Sequence, residues 1–203
     1  MAMKRLLYSI ILVTTVLVCS CNNDEDLLTK QKDNIVKYLT SSRRMVAEEE
    51  VGSTIAENPP FYTAFGQSTY RHITNYYEAD RNDWSEITPN SSIDIRFNAY
   101  IFSGSEPSNR DVYWSNIQET INALESANNH TYDKLEWSAA PLTLNLGRGE
   151  ILEGLETALI GCRDQDSVQI YMTSKMAYGK QYIGSVPKNS SVAWYIKILN
   201  VNK

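Results

Sequence analysis

The sequence predicts an α+β fold: a twisted antiparallel β-sheet wrapped around one short α-helix, with a helical extension before it and a helical insertion within it. Three observations predict this. Apolar residues recur with a period of two in four separate segments between Ile93 and Ile198, the mark of strands with one apolar face. Each segment keeps a polar face, which suits an antiparallel sheet better than a parallel sheet covered on both sides. Only one short stretch between the second and third segments, about Glu153 to Ile160, has helical spacing, and it offers Leu155 and Leu159 to the sheet.

The chain opens with a targeting pattern. Lys4 and Arg5 precede an apolar run from Leu6 to Val18, shorter than the roughly 20 residues a membrane-spanning helix needs. The run ends in Leu17-Val18-Cys19-Ser20-Cys21. An aliphatic residue three places before a cysteine and a small residue just before it make a lipobox, and Val18 and Ser20 supply both ahead of Cys21. Residues 1–20 are therefore expected to leave as a lipoprotein signal peptide, with Cys21 lipidated and the protein anchored at the outer membrane, on its periplasmic face or at the cell surface. A plain secretory signal is the alternative. Residues 21–67 are expected to form a lipidated tether, an amphipathic helix and a linker. The run Asn22 to Asp26 reads equally as a surface-export signal or as a solvated tether. Leu28, Ile35 and Leu39 share one face of a helix over Leu27 to Leu39, opposite Lys30, Asp33 and Lys37. Ser41 to Pro60 is polar and carries Asn58-Pro59-Pro60, so it should be extended and irregular.

Residues 68–203 are expected to form the folded domain. Ile93, Ile95, Phe97, Ala99 and Ile101 alternate with polar partners, as do Leu142, Leu144 and Leu146, then Val168, Ile170 and Met172, then Val192, Trp194, Ile196 and Ile198. Val112 to Asn116 is also strand-like. An insertion at about 117–138 should include a helix around Ile117 to Ser126.

Composition excludes several functions. Loss of Lys4 and Arg5 takes the 19 basic residues to 17 against 24 acidic ones, a net charge of −7, which argues against nucleic acid as a partner. With Cys19 removed and Cys21 lipidated, Cys162 is left alone and no internal disulfide can form. Its neighbours Leu155, Ala158 and Leu159 mark it as a small buried hydrophobe. The two histidines, His72 and His130, lie far apart without partner cysteines, and there is no phosphate loop, nucleophile elbow or zinc-protease helix. No metal or cofactor is expected.

One ordered set of motifs carries more. Leu146-Gly147, the aliphatic pair Ile151-Leu152, Gly154 opening the helix, Ala177-Tyr178-Gly179, Gly184-Ser185-Val186-Pro187 and the last strand through Trp194 follow one another from Pro141 to Lys203. This order resembles the C-terminal half of FKBP-type peptidyl-prolyl cis-trans isomerases. The N-terminal half resembles the family more loosely, through the strand bearing Phe97 and through Tyr113. Trp114 stands where the family usually has aspartate. An alternative register sets Tyr132-Asp133 at the aromatic–aspartate pair.

The resemblance implies an apolar pocket walled by Phe97, Tyr113, Leu142, Ile151, Leu155, Val186 and Trp194. Tyr178 would offer its hydroxyl, and Leu152 its backbone N–H, to a substrate carbonyl. It implies proline-containing polypeptides as substrates. Each residue also has an ordinary reading: Phe97, Leu142 and Trp194 as core, Tyr178 as a turn tyrosine. Ile151 and Leu152 are adjacent and cannot share one face of a regular element, which fits a loop presenting both. Three functions compete: a membrane-tethered prolyl isomerase assisting the folding of exported proteins, a catalytically inactive FKBP-like binding or chaperone module, and a sugar-capturing lipoprotein using Trp84, Trp114 and Trp137 on one exposed face.

Overall fold

The computed structural model describes residues 23–66, 68–127 and 137–202. Cys21, the signal segment, His130 and the alternative pair Tyr132-Asp133 lie outside them. Eight strands, β1 to β8, form one sheet: Val46–Ala47, Phe61–Phe65, Thr69–Ile73, Ser92–Ile101, Val112–Ser115, Leu142–Asn145, Ser167–Met172 and Val192–Asn202. Their order is β1-β2-β3-β7-β8-β4-β5, with β6 pairing the other half of β4 on the edge that β5 uses. All pairs are antiparallel except the short β1–β2 contact.

Helix α1 covers residues 23–37 and ends in a wide turn over Tyr38–Ser42; α2 is Gln118–Ser126 and α3 is Glu153–Leu159. The front of the sheet receives α3. Glu153 and Glu156 lie in its first turn, where carboxylates complement the helix dipole. Gly161, at φ +81°, follows its end in a conformation that glycine adopts without strain. Gly154 allows the close approach: a Cβ there would lie 2.4 Å from Met172 Sδ and 2.9 Å from Thr69 Oγ1. Leu155, Ala158, Leu159 and Cys162 pack with Phe97, Ile170, Met172, Trp194 and Ile196 in a continuous apolar core. Cys162 is fully buried, and burial pushes its thiol up to about 11.

Three expectations need correction. The second face of the sheet is not simply wet. Tyr100, Tyr171 and Ala193 on that face are buried under Ile35, Tyr38 and Leu39 of the N-terminal segment. Tyrosine permits this because its ring packs as a hydrophobe while its hydroxyl keeps a hydrogen bond. The sheet also begins upstream of residue 68, since Phe61–Phe65 pairs with Thr69–Ile73 and Val46–Ala47 pairs with Phe61 and Tyr62. Between those pieces Glu48–Ser53 forms a 3₁₀-helix instead of extended chain. Residues 23–66 are thus structural members of the domain, with α1 laid on its back.

Candidate functional site

A cleft of about 500 Å³ opens on the front of the sheet, between the edge strand β6 and the start of α3. Its elements are fixed by specific contacts. Gly147, at φ +82°, turns the chain out of β6 where a Cβ would meet Pro89 O at 2.7 Å. Its N–H donates to Glu156 Oε1 at 2.7 Å, tying the loop to the helix that follows it. The loop through Gly149, Glu150, Ile151 and Leu152 then forms one wall, with Ile151 and Leu152 both half-buried against the core.

Of the residues expected at the site, the structure brings Leu142, Ile151, Leu152, Leu155, Tyr178 and Trp194 to the lining. Phe97, Tyr113 and Val186 do not line it. They stand one layer behind, each nearly or fully buried, because inward-pointing strand and loop side chains here are covered by their neighbours. Phe97 stacks beneath Trp194 with ring centroids 4.6 Å apart. Tyr113 supports the lining through its hydroxyl: Trp194 Nε1–H donates to it at 2.7 Å, and it lies 3.2 Å from the Tyr178 hydroxyl. Val186 closes a small bridge with Ile183 behind Tyr178's loop.

Sequence reasoning missed Trp114 as a wall. It packs edge-on against Phe97 at 4.8 Å and against Trp194 at 5.6 Å, so an indole occupies cleft space where a carboxylate was the usual pattern. Its place at an edge strand beside an inward Tyr113 was the available signal. Thr143, Asn145 and Glu150 were missed as well; they add the polar rim. Trp84, Trp114 and Trp137 are each half-buried, and Trp114 packs on the front cluster while Trp137 packs on the back one. They do not form one exposed face.

Burial raises the Tyr178 hydroxyl above the ordinary tyrosine range, with the hydrogen bond from Tyr113 working against that rise. Burial raises Tyr113 still further. An indole N–H can only donate, so the Tyr113 oxygen accepts from Trp194 and its own proton can serve Tyr178. That arrangement leaves the Tyr178 proton free for a group in the cleft. The Leu152 N–H has no partner among the described residues, while Leu152 C=O accepts from Glu156 N at 3.0 Å. The site therefore combines an apolar trough with the Tyr178 hydroxyl at its lining and a backbone N–H at Leu152 that no other described residue engages.

Asn116 holds the aromatic wall in register. Its buried side chain accepts from Phe97 N at 2.7 Å and donates to Ile95 O at 2.9 Å and Ala140 O at 3.0 Å. It thereby joins β4, the end of β5 and the return of the insertion.

Residues 122–199 match the model of the family described as FKBP-type peptidyl-prolyl cis-trans isomerase. Over that stretch the chain is similar to an FKBP-type domain. FK506-binding protein 3 of Kluyveromyces lactis is 31% identical over 74 residues, which are 36% of this chain and 18% of that protein. The peptidyl-prolyl cis-trans isomerase of Saccharomyces cerevisiae is 30% identical over 74 residues, again 36% and 18%. The match thus spans less than a fifth of those relatives' own length. The N-terminal domain of FKBP42 from Arabidopsis thaliana has the same fold, with a TM-score of 0.51 at 12% identity over 74% of this chain and 98% of that domain. The FKBP-type fold accounts for the sheet wrapped on α3.

Proposed function

We propose that the protein is a peptidyl-prolyl cis-trans isomerase, held at the outer membrane through a lipid on Cys21 and acting on proline-containing segments of exported proteins. The carrying observation is the cleft itself, an apolar trough with the Tyr178 hydroxyl and the Leu152 N–H as its donors. Amide resonance sets the rotation barrier at about 18–20 kcal/mol. Rotation localises the nitrogen lone pair and reduces charge separation across the amide. An apolar wall of Trp194, Leu155, Ile151 and Trp114 therefore disfavours the planar state more than the twisted one. Binding the twisted amide more tightly is catalysis by differential binding, about tenfold per 1.36 kcal/mol. Tyr178 and Leu152 orient the carbonyl oxygen; no proton leaves the substrate and no covalent bond is made.

The test is exchange of a proline tetrapeptide followed by NMR, with the full-length chain. Wild type should accelerate the exchange and Tyr178→Phe should slow it about tenfold, less than the roughly 10²–10³ lost with an oxyanion-hole donor, because no full charge develops on this carbonyl. Folded protein with no acceleration above the uncatalysed rate would sink the reading. Because Tyr178 is held protonated by burial, the rate should stay flat through the ordinary tyrosine range and fall only above it. The tether is tested separately, by metabolic labelling with a fatty acid that Cys21→Ser should abolish.

A second reading is supported by Trp114, which fills the place of the family's usual carboxylate and packs on Phe97 and Trp194. On that reading the domain binds peptides without turning them over. Peptide binding at the cleft with no acceleration of exchange would favour it.

A further inference from the structure

The N-terminal helix lies on the back of the sheet, and one of its side chains reaches the turn that carries Tyr178. Gln31 is 8% exposed, on the same face of the helical segment as Ile35, Tyr38 and Leu39. A buried amide costs free energy unless its hydrogen bonds are made, and an apolar residue would pack this face as well. Its bonds are made, and all go to the loop between β7 and β8. Gln31 Oε1 accepts from Ser174 N at 2.9 Å and from Ser174 Oγ at 3.0 Å. Gln31 Nε2 donates to Asn189 O at 2.6 Å.

These bonds close a ring. Gly179 N donates to Ser174 O at 2.7 Å, and Asn189 N donates to Gly179 O at 2.8 Å. The circuit runs Gln31, Ser174, Gly179, Asn189 and back to Gln31, and Tyr178 is the residue beside Gly179. Between Ser174 and Ser191 there is otherwise only a short 3₁₀ turn and the Ile183–Val186 bridge, and both Gly179 and Asn189 sit at positive φ. Hydrogen bonds, not a strand ladder, therefore fix this turn. The Tyr113–Tyr178 contact at 3.2 Å is already long for a bond between hydroxyls, so a small shift of the turn breaks it.

We propose that Gln31 is a positioning residue for Tyr178, so that α1 is part of the site and not only the tether's spacer. The kinetic consequence rests on the isomerase reading above; the geometric one does not. A displacement near 1 Å at a catalytic group can cost about a hundredfold, and a loosened turn samples only part of that.

The experiment uses the full-length chain with Gln31→Met, Tyr178→Phe, the double variant and Asp24→Asn. Gln31→Met keeps the side chain's length and removes its hydrogen bonds. Its expected effect is a kcat about tenfold lower with KM within about twofold, and a melting temperature within a few degrees of wild type. In the double variant the Gln31 change should add nothing to the loss from Tyr178→Phe, because both act through one hydroxyl. Asp24→Asn, which removes the exposed pair with Lys180 on the same loop, should leave the rate unchanged.

Losses that multiply in the double variant, or an unchanged kcat in Gln31→Met, would overturn the proposal. Amide hydrogen exchange reads the same geometry without turnover. Gly179 and Asn189 should exchange at least about tenfold faster in Gln31→Met while β4 and β8 stay protected, and the Tyr178 ring signals should shift. Unchanged exchange at both amides sinks the proposal even where the wild type is active. A wild type that accelerates nothing, with faster exchange in Gln31→Met, removes the isomerase reading and leaves the ring standing. Gln31→Glu keeps the acceptor for Ser174 and sets a carboxylate oxygen against Asn189 O where the donor stood. It replaces Gln31→Met in the same comparison where that variant folds poorly.

Discussion

On the face covered by α3, the strands β4, β7 and β8 present Phe97, Ile170, Val192, Trp194 and Ile196, closed against Leu155 and Leu159. On the opposite face β4 and β7 present Tyr100 and Tyr171, β8 adds Ala193 and Tyr195, and the cover is Ile35, Tyr38 and Leu39. The first face coheres by apolar area and shape, and the cleft opens on it. The second adds hydroxyls whose bonds converge on Glu106 and Arg43: Tyr38 OH donates to Glu106 Oε2, Arg43 Nη1 to the same oxygen at 3.0 Å, and Tyr195 OH to Glu106 Oε1 at 3.3 Å. Tyr171 OH lies 2.9 Å from Tyr195 OH and donates to Gln169 Oε1 at 3.2 Å, which also receives Arg43 Nη2. One face is a close-packed wall for a ligand site. The other is a dock for a helix, in which polar bonds choose the orientation that apolar rings alone would leave free.

The largest effect should fall on the front. Phe97→Ala removes a fully buried ring that touches both Trp114 and Trp194, and should cost about 3–5 kcal/mol of stability in urea unfolding. It should also let both indoles relax and weaken peptide binding at the cleft. A cost under about 1 kcal/mol would mean that this face is not the tightly packed one. Gly154→Ala tests shape rather than area. Its Cβ would stand 2.4 Å from Met172 Sδ, so about 1–3 kcal/mol should be lost by overpacking. The loss should shrink in a Met172→Ala background, and a loss of the same size there would refute the steric cause.

The contrast between the faces also explains what could be read from the amino-acid order. Strict alternation through Phe97, Ile170 and Trp194 made the front strands legible, because burial of one face imposes the period of two, and helical spacing did the same for α3; six of the cleft's lining residues were legible only through the resemblance of the ordered motifs to the FKBP family. Tyrosine broke the rule on the back. Tyr100 and Tyr171 occupy the polar positions of that period, and only the placement of α1 makes them core. Phe61–Phe65 was obscured for a related reason: Phe61 and Tyr62 are adjacent and both buried, so the strand shows no alternation at its start. Gln31 was illegible as a site residue because its role depends on contacts far away in sequence. Asn116 was hidden likewise, since a buried asparagine is recognised only by its three partners.

A smaller effect is expected on the back. Tyr171→Phe keeps the ring and removes the hydroxyl that joins Gln169 to Tyr195, and should cost about 1 kcal/mol, the usual net worth of a neutral hydrogen bond. The front-face cleft should keep its peptide affinity in this variant. A change in that affinity would show that the two faces are coupled through β7, and the separation drawn above would fail.

The smallest effect separates the faces by pH instead of by size. Partial burial pushes the Glu106 carboxyl up, but hydrogen bonds from Tyr38 and Arg43 outweigh it and hold the group below its ordinary value of 4.5. A carboxyl depressed on folding binds its proton more weakly in the native state than in the unfolded chain. Its contribution is therefore complete above about 4.5 and is lost as pH falls through the lower folded value. Glu106 is 59% exposed at its side chain, so salt and water screen the pair and the contribution stays under about 1 kcal/mol. Glu106→Gln should consequently be slightly less stable than wild type at pH 7 and indistinguishable from it at pH 2.5, while Gly154→Ala should show the same deficit at both. Unfolding curves for the two variants at the two pH values test this directly. A Glu106→Gln deficit that persists at pH 2.5 would show that shape, not charge, holds the helix to the back of the sheet.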